Sequence, residues 1–320
     1  MLLDVALPQI GSPTSIAVGQ SRVWVTFAAG AAAPAGEGRL VAFSRGGLRQ
    51  EGEVAIGGDP VSAAAGNGVI WVANEAGSPS VGLAYQNTVE EVSTSAESVL
   101  HVFNIQGLNL IPQESPTAAS GTRAWAITSL GRATGVSAFE SGTSRQLVTL
   151  AGEPQGIINC GASLYVATSV GTTSASIHVT RLAATTGTFT KRWTIPATGR
   201  VALACTAGGV VLAVSNPTGG GLFDLQDSVS SVPRPVGPKT QFGIAVAGPF
   251  SWALTVREST VGTYSCWLVG NGIGSSSGLS QAIRLRASAR LAAVLSVALV
   301  ASGHDLFGIM GGRLLEVGVG

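Results

Sequence analysis

The chain has 320 residues, of which 11% are charged and 44 are glycine, and its formal net charge is +1. No long basic run occurs, which excludes a nucleic-acid groove built on a basic footprint. Leu, Ile, Val and Phe are plentiful, which excludes a disordered chain. So low a charge, against about 25% in an average protein, leaves two readings. The surface is coated with Ser, Thr and Gly, or part of it is covered in an assembly.

In chain order, Met1 to Pro8 carries Asp4 and no basic residue before its apolar positions, so it does not read as a signal peptide. Ser12 to Thr26 then introduces a pattern: a Pro-containing turn, a short apolar strand, a tight turn and an aromatic-centred strand. The pattern returns at Asp59 to Asn74, Pro116 to Trp125 and Pro154 to Tyr165, and fainter copies end near Val211, Trp252 and Phe307. The marker residues Trp24, Trp71, Trp125, Tyr165, Val211, Trp252 and Phe307 are spaced by 47, 54, 40, 46, 41 and 55 residues. That spacing scatters around the roughly 40–45 residues of a four-stranded propeller blade. Runs rich in Val, Ile, Thr and aromatics, broken by Gly, Pro, Asn and Ser, are strands and turns rather than helical repeats.

The first repeat reads strand by strand as Pro13–Val18, Arg22–Ala28, Arg39–Ser44 and Gln50–Ile56. In the fourth blade, Ala175–Leu182 and Phe189–Ile195 are the third and fourth strands; in the sixth, Thr263–Val269 and Gln281–Leu285. Two insertions, Ala29 to Gly38 and Ala76 to Ser98, fall between second and third strands. Long loops on a rigid scaffold are where binding tends to reside. Tyr85, Glu90 and Glu91 in the longer one are therefore candidate binding residues. After Phe307 about one strand remains (Arg313–Val317), so the last blade is one strand short. Leu2 to Leu7 completes it as the outer strand, which leaves no unpaired seam. The expected fold is all-β: one β-propeller domain over residues 1–320, of seven four-stranded blades, with six and eight left open by the degenerate copies.

Cys160 and Cys205 occupy equivalent places in neighbouring repeats. They read as two small apolar core residues, with a disulfide left open if their Cα atoms lie within about 7 Å. The apolar run Leu291 to Ser302 is too short to span a bilayer and reads as a buried strand. The recurring Trp series reads as packing between neighbouring sheets.

The phrases Arg22-Val-Trp-Val-Thr26, Val69-Ile-Trp-Val-Ala-Asn74 and Leu164-Tyr-Val-Ala-Thr168, each preceded by a Pro-containing turn, resemble bacterial propeller repeats of the YVTN, NHL and virginiamycin B lyase-like groups. The resemblance is at the level of the repeat and covers the whole chain. It implies a surface, sensor or scaffold module, with a minority of such proteins being metal-dependent lyases or hydrolases. The lyases use His and Glu near the central channel. Here His101 and His178 fall in third strands and His304 in a turn of the last blade, so no lyase residue is carried over.

Two further candidates complete the set. Asp59, Glu114 and Glu153 lie in turns entering the blades; together they could hold Ca²⁺, which favours oxygen ligands, or each could satisfy local backbone donors. Trp193 follows Lys191 and Arg192 in an outer strand, where a cation and an aromatic could meet a partner. No coherent catalytic set stands out and no cofactor is implied. The sequence points to a non-catalytic binding or scaffold module with a protein partner, extracellular, cell-surface or virion-borne, and without membrane insertion. The alternative is a metal-dependent lyase or hydrolase acting on a small molecule at the channel mouth.

Overall fold

In the computed structural model the described residues are 2–29, 37–57, 59–75, 87–105, 116–171, 176–206, 208–216, 219–226, 233–235, 241–247, 250–260, 263–272, 280–289, 298–302, 304–310 and 312–318. Tyr85 and Glu114 lie outside them. Their regular elements are all strands. Strand β1 (Leu2–Ala6) belongs to the last sheet. The first sheet is β2 (Gly11–Val18), β3 (Arg22–Ala29), β4 (Glu37–Ser44) and β5 (Gln50–Gly57). The second is β6 (Asp59–Ala65), β7 (Val69–Glu75), β8 (Asn87–Ser93) and β9 (Ser98–Ile105). The third is β10 (Thr117–Ser120), β11 (Arg123–Ser129), β12 (Ala133–Glu140) and β13 (Thr143–Ala151). The fourth is β14 (Glu153–Cys160), β15 (Ser163–Val170), β16 (Ser176–Ala183) and β17 (Phe189–Ile195). Each is an antiparallel meander paired in sequence order. These four sheets form one compact unit, residues 7–196.

The second unit comprises residues 1–6 and 197–320. Its sheets are β18 (Arg200–Thr206), β19 (Gly209–Asn216), β20 (Gly219–Gln226) and β21 (Pro233–Pro235); β22 (Gln241–Ala247), β23 (Phe250–Thr260), β24 (Thr263–Gly272) and β25 (Ser280–Ala289); and β26 (Ala298–Ser302), β27 (Asp305–Met310) and β28 (Arg313–Gly318). In the last sheet β1 pairs with β28 from Leu2↔Val317 to Ala6↔Arg313, and Arg313 bonds to Asp4 across that pair. The N-terminal strand thus becomes the outer strand of the last sheet.

The expectation of seven four-stranded blades is corrected in one sheet. Six sheets carry four full strands, whereas the one that begins with β18 ends in the three-residue β21. That stub pairs only through Gly221↔Pro235, Leu222↔Arg234 and Phe223↔Pro233. Pro233 and Pro235 have no N–H to give to a ladder, so this three-residue pairing is poor in hydrogen bonds. Two further boundaries differ. Residues 87–93 of the longer expected insertion are strand β8, and His101 lies on the fourth strand β9 rather than on a third. Of the apolar run 291–302, only Ala298–Ser302 falls within the described strands.

The recurrent proline has a structural meaning that the repeat alone does not reveal. Register shifts occur between Pro13 and Ser15, Pro60 and Ser62, and Pro154 and Gly156. A residue without an amide donor sits where pairing begins, and a bulge follows it. The small residue after the bulge lets first strands approach. Ser15 Oγ accepts the Ala63 amide at 3.0 Å, and the Ser62 and Thr117 hydroxyls lie 2.7 Å apart. In the first unit β2 touches β6, β6 touches β10 and β10 touches β14.

Between sheets the core is aromatic and aliphatic. Trp24 packs with Leu40, Val54 and Ile56 of its own sheet and with Ile70, Val72 and Val92 of the next. Trp71 repeats this one sheet on, with Phe103, Ala124, Ala126 and Phe139. Trp125 does so again against Ile157, Leu164, Val166 and Leu182, and its Nε1 donates to Ala184 O at 3.0 Å. A large apolar side chain at one position per repeat therefore cements each of the first three sheets to the next, as buried area favours.

Candidate functional site

The residues singled out by sequence do not converge on one place. Asp59 and Glu153 open β6 and β14, at equivalent positions, and both are exposed. Among the described residues no three His, Cys, Asp or Glu side chains assemble into a metal-binding group. Glu90 and Glu91, expected in a binding loop, are instead buried in β8. Their neighbours explain why. The Gly57 amide at the end of β5 donates to Glu90 Oε1 and Oε2 at 3.1 and 3.3 Å. A Cβ at position 57 would lie 2.9 Å from that oxygen, so glycine gives the carboxylate its place. Burial pushes the Glu90 carboxyl up to about 7, while hydrogen bonds from the Gly57 amide and the Asn74 side chain hold it back. Asn74 also donates to Thr88 Oγ1 at 3.2 Å, and its buried Oδ1 has no partner.

Glu91 is tied to His101, directly opposite it on β9, through Nδ1 at 2.9 Å. Glu97 and Glu51 both bind Arg22, at 2.6 and 3.0 Å, and Glu53 binds Arg39 at 3.1 Å. Hydrogen bonds donated to Glu97, then to Glu51, hold the Arg22 pKa above its ordinary value. Most of the acidic side chains of the first two sheets therefore act within the fold. What these sheets present outward lies on the terminal strand β9. Leu100 and Val102 are 47% and 57% exposed, either side of His101, with Leu100 the extra residue at the bulge in β9. Phe103, on the face opposite Val102, packs against Trp71 with ring centroids 6.1 Å apart.

The fourth sheet is the charge opposite. From Pro154 through Phe223 the sequence has no Asp or Glu, and it carries Arg181, Lys191, Arg192 and Arg200. Three of these cations gather on β16 and β17. On one face Tyr165, Arg181, Lys191 and Trp193 form a layer. The Arg181 guanidinium lies 6.0 Å from the Tyr165 ring and the Lys191 ammonium 4.9 Å from the Trp193 ring; the two rings stack at 6.1 Å. On the other face Arg192 lies 5.5 Å from the Phe189 ring and donates to Thr180 Oγ1 at 3.3 Å. The Arg192 charge and, first, burial hold His178 below its ordinary pKa. Trp193, the predicted contact residue, is itself buried under Lys191; Phe189, which sequence reasoning missed, is 54% exposed. The missed signal was the long stretch without an acid around a Lys-Arg pair. Cys160 and Cys205 are half-buried and each is disulfide-bonded, which replaces the reading of both as free apolar side chains.

No protein-family model matches the sequence, and no curated protein matches it. Solved structures do. The chain is similar to hydrazine synthase of Kuenenia stuttgartiensis, with 11% identity and a TM-score of 0.67 over 97% of this chain and 96% of that one. It is similar to a chain of the mitotic checkpoint complex, at 13% identity and TM-score 0.64, covering 98% and 90%. The β-propeller domain of Myceliophteria thermophila Cps50 (Swd1) matches at 12% identity and TM-score 0.62, covering 98% and 99%. At such identities the likeness is one of fold: the chain is an all-β propeller.

Proposed function

We propose that the protein is a non-catalytic interaction scaffold, a subunit of a larger extracellular or virion-type assembly. The carrying observation is the pair Leu100 and Val102, apolar and outward-facing on the terminal strand of the second sheet. Adjacent large apolar side chains on an edge strand are a liability for a lone protein and an asset in an assembly. Propellers similar in fold occur in a multiprotein complex, the mitotic checkpoint complex, which supports the reading by analogy. Disulfide-bonded Cys160 and Cys205 support an oxidising compartment, where such bonds persist. The Pro-turn and Trp-Val repeats support kinship with the YVTN, NHL and virginiamycin B lyase-like propellers.

The test is native mass spectrometry of protein from its own source, wild type beside Leu100→Asp/Val102→Asp. A heteromeric complex lost in the double variant is the expected result. A wild-type protein that is always a lone monomer refutes the scaffold reading.

A further inference from the structure

We propose that β9 is the docking site for a second copy of this chain, the two β9 strands pairing antiparallel across a two-fold axis at His101. Two four-stranded sheets then join edge to edge. The proposal rests on the scaffold reading and names an occupant for the same strand.

Three observations carry it. First, β9 ends its sheet, and among the described residues no strand pairs with its outer side. It contains no proline, so its outward N–H and C=O groups can pair with an incoming strand. Second, β9 lacks the charge found on the corresponding strand of every other sheet. Charged side chains on an edge make pairing with another edge costly. The strands at that end of the other sheets carry Asp4 (β1), Glu51 (β5), Arg145 (β13), Lys191 (β17), Arg234 (β21) and Arg284 (β25). Strand β9 carries no Asp, Glu, Lys or Arg. Its bulge does not set it apart, since the pairing of third with fourth strand shifts register in each of the first four sheets. Third, β9 is symmetric in polarity about His101. An antiparallel pair centred there sets Leu100 against Val102 of the second copy, Val99 against Phe103 and Ser98 against Asn104. Apolar residues then meet apolar ones and polar residues polar ones, and such directly opposed pairs are what stabilise a sheet.

The same features select the occupant. A charged strand would gain the main-chain ladder, but it would find no opposite charge on β9 and would lose hydration beside Leu100 and Val102. A neutral strand with apolar residues at the matching places avoids that cost. A second β9 supplies that pattern by symmetry, each contact being made twice. Covering the exposed Leu100 and Val102 of both copies favours the pair. His101, on the axis, is already engaged within its own chain. Its Nδ1 lies 2.9 Å from Glu91, and a Cβ at Gly142 would lie 3.1 Å from its Nε2. One strand pair is small beside the roughly 1,200–2,000 Å² of a stable complex, so a weak dimer is expected, with a Kd on the order of 10 µM.

The test is sedimentation velocity of the purified full chain from about 1 to about 200 µM. The expected result is a monomer–dimer equilibrium. Val102→Lys gives this exposed position the charge that the other outer strands carry, and it should weaken association by about tenfold or more with an unchanged melting curve. His101→Cys, placed on the axis, should be joined into a covalent dimer by a short bis-maleimide. Phe189→Cys, exposed on β17, and wild type treated alike should not be. The proposal is overturned if wild type stays monomeric over the whole range, or if Val102→Lys associates as wild type does. It is also overturned if His101→Cys is joined no better than Phe189→Cys. A purified chain that is monomeric, beside a native heteromeric complex broken by the Leu100→Asp/Val102→Asp change, defeats this proposal and leaves the scaffold reading standing. A purified dimer that no other protein accompanies in material from its source does the reverse.

Discussion

Glu90→Gln should change how the stability of this protein depends on pH. Glu90 is 3% exposed, and its carboxyl is raised from 4.5 to about 7, chiefly by burial. The folded pKa therefore lies above that of the unfolded chain, and between about 4.5 and about 7 the native state holds a proton that the unfolded state has lost. The stabilisation this gives is fully present below the unfolded value and is lost as pH rises through the folded one. At about 1.4 kcal/mol per pH unit, the raise sets an upper bound of about 3 kcal/mol. Gln is neutral throughout and similar in shape. Its carbonyl keeps the Gly57 amide as donor, and a rotated Asn74 amide offers its now unpartnered Oδ1 to the new NH₂ group. Urea unfolding followed by tryptophan fluorescence, from pH 4.5 to pH 8, should give two curves that nearly meet at the acid end. They should separate by up to about 3 kcal/mol in favour of the variant above pH 7. Parallel curves would refute the argument, because the buried carboxylate would then carry no cost of ionisation.

Trp71→Ala should cost about 3–5 kcal/mol, since Trp71 is fully buried against Phe103 and Phe139 at the junction of the second and third sheets; a loss below about 1 kcal/mol in chemical denaturation would show that the junction does not depend on it. Gly152→Ala should destabilise by about 2 kcal/mol, because φ is +98° and the new Cβ would lie 2.5 Å from the Ser169 carbonyl oxygen. Gly161→Ala is the comparison: φ is +64° with open space around it, so only the backbone cost of about 1 kcal/mol applies. Equal melting shifts for the two would disprove the steric part of the reasoning. Cys160 and Cys205 should resist alkylation until reductant is added; rapid labelling of either in the oxidised protein would contradict the disulfides.

Strand order was largely legible because it is written in local chemistry. Alternation along Gln50–Gly57 buries Val54 and Ile56 and exposes Glu51 and Glu53, and the Trp at the same place in each repeat must find a neighbouring sheet. The degenerate sheet was less legible, since the Pro-Arg-Pro stub is too short to leave a period-two pattern. The site residues were harder still. Glu90 and Glu91 were expected in a loop because they fall in the stretch from Ala76 to Ser98 between two recognisable strands. Their strand placement follows from a backbone amide in the preceding sheet and a histidine on the facing strand, which no local pattern reports.

By itself the sequence determined that the chain is all-β and built of repeats, and that its N-terminal segment completes the last sheet. Repeats, turns and alternation are properties of neighbours along the chain. Only the tertiary structure decided which charges are turned into the fold and which are carried on an outer strand. The Glu residues of β8 are turned inward by Gly57 and His101, while Lys191 and Arg192 are carried on the outermost strand of a sheet almost without acids. That division depends on contacts between residues far apart in sequence, where burial and Coulomb energy, rather than local propensity, set the outcome.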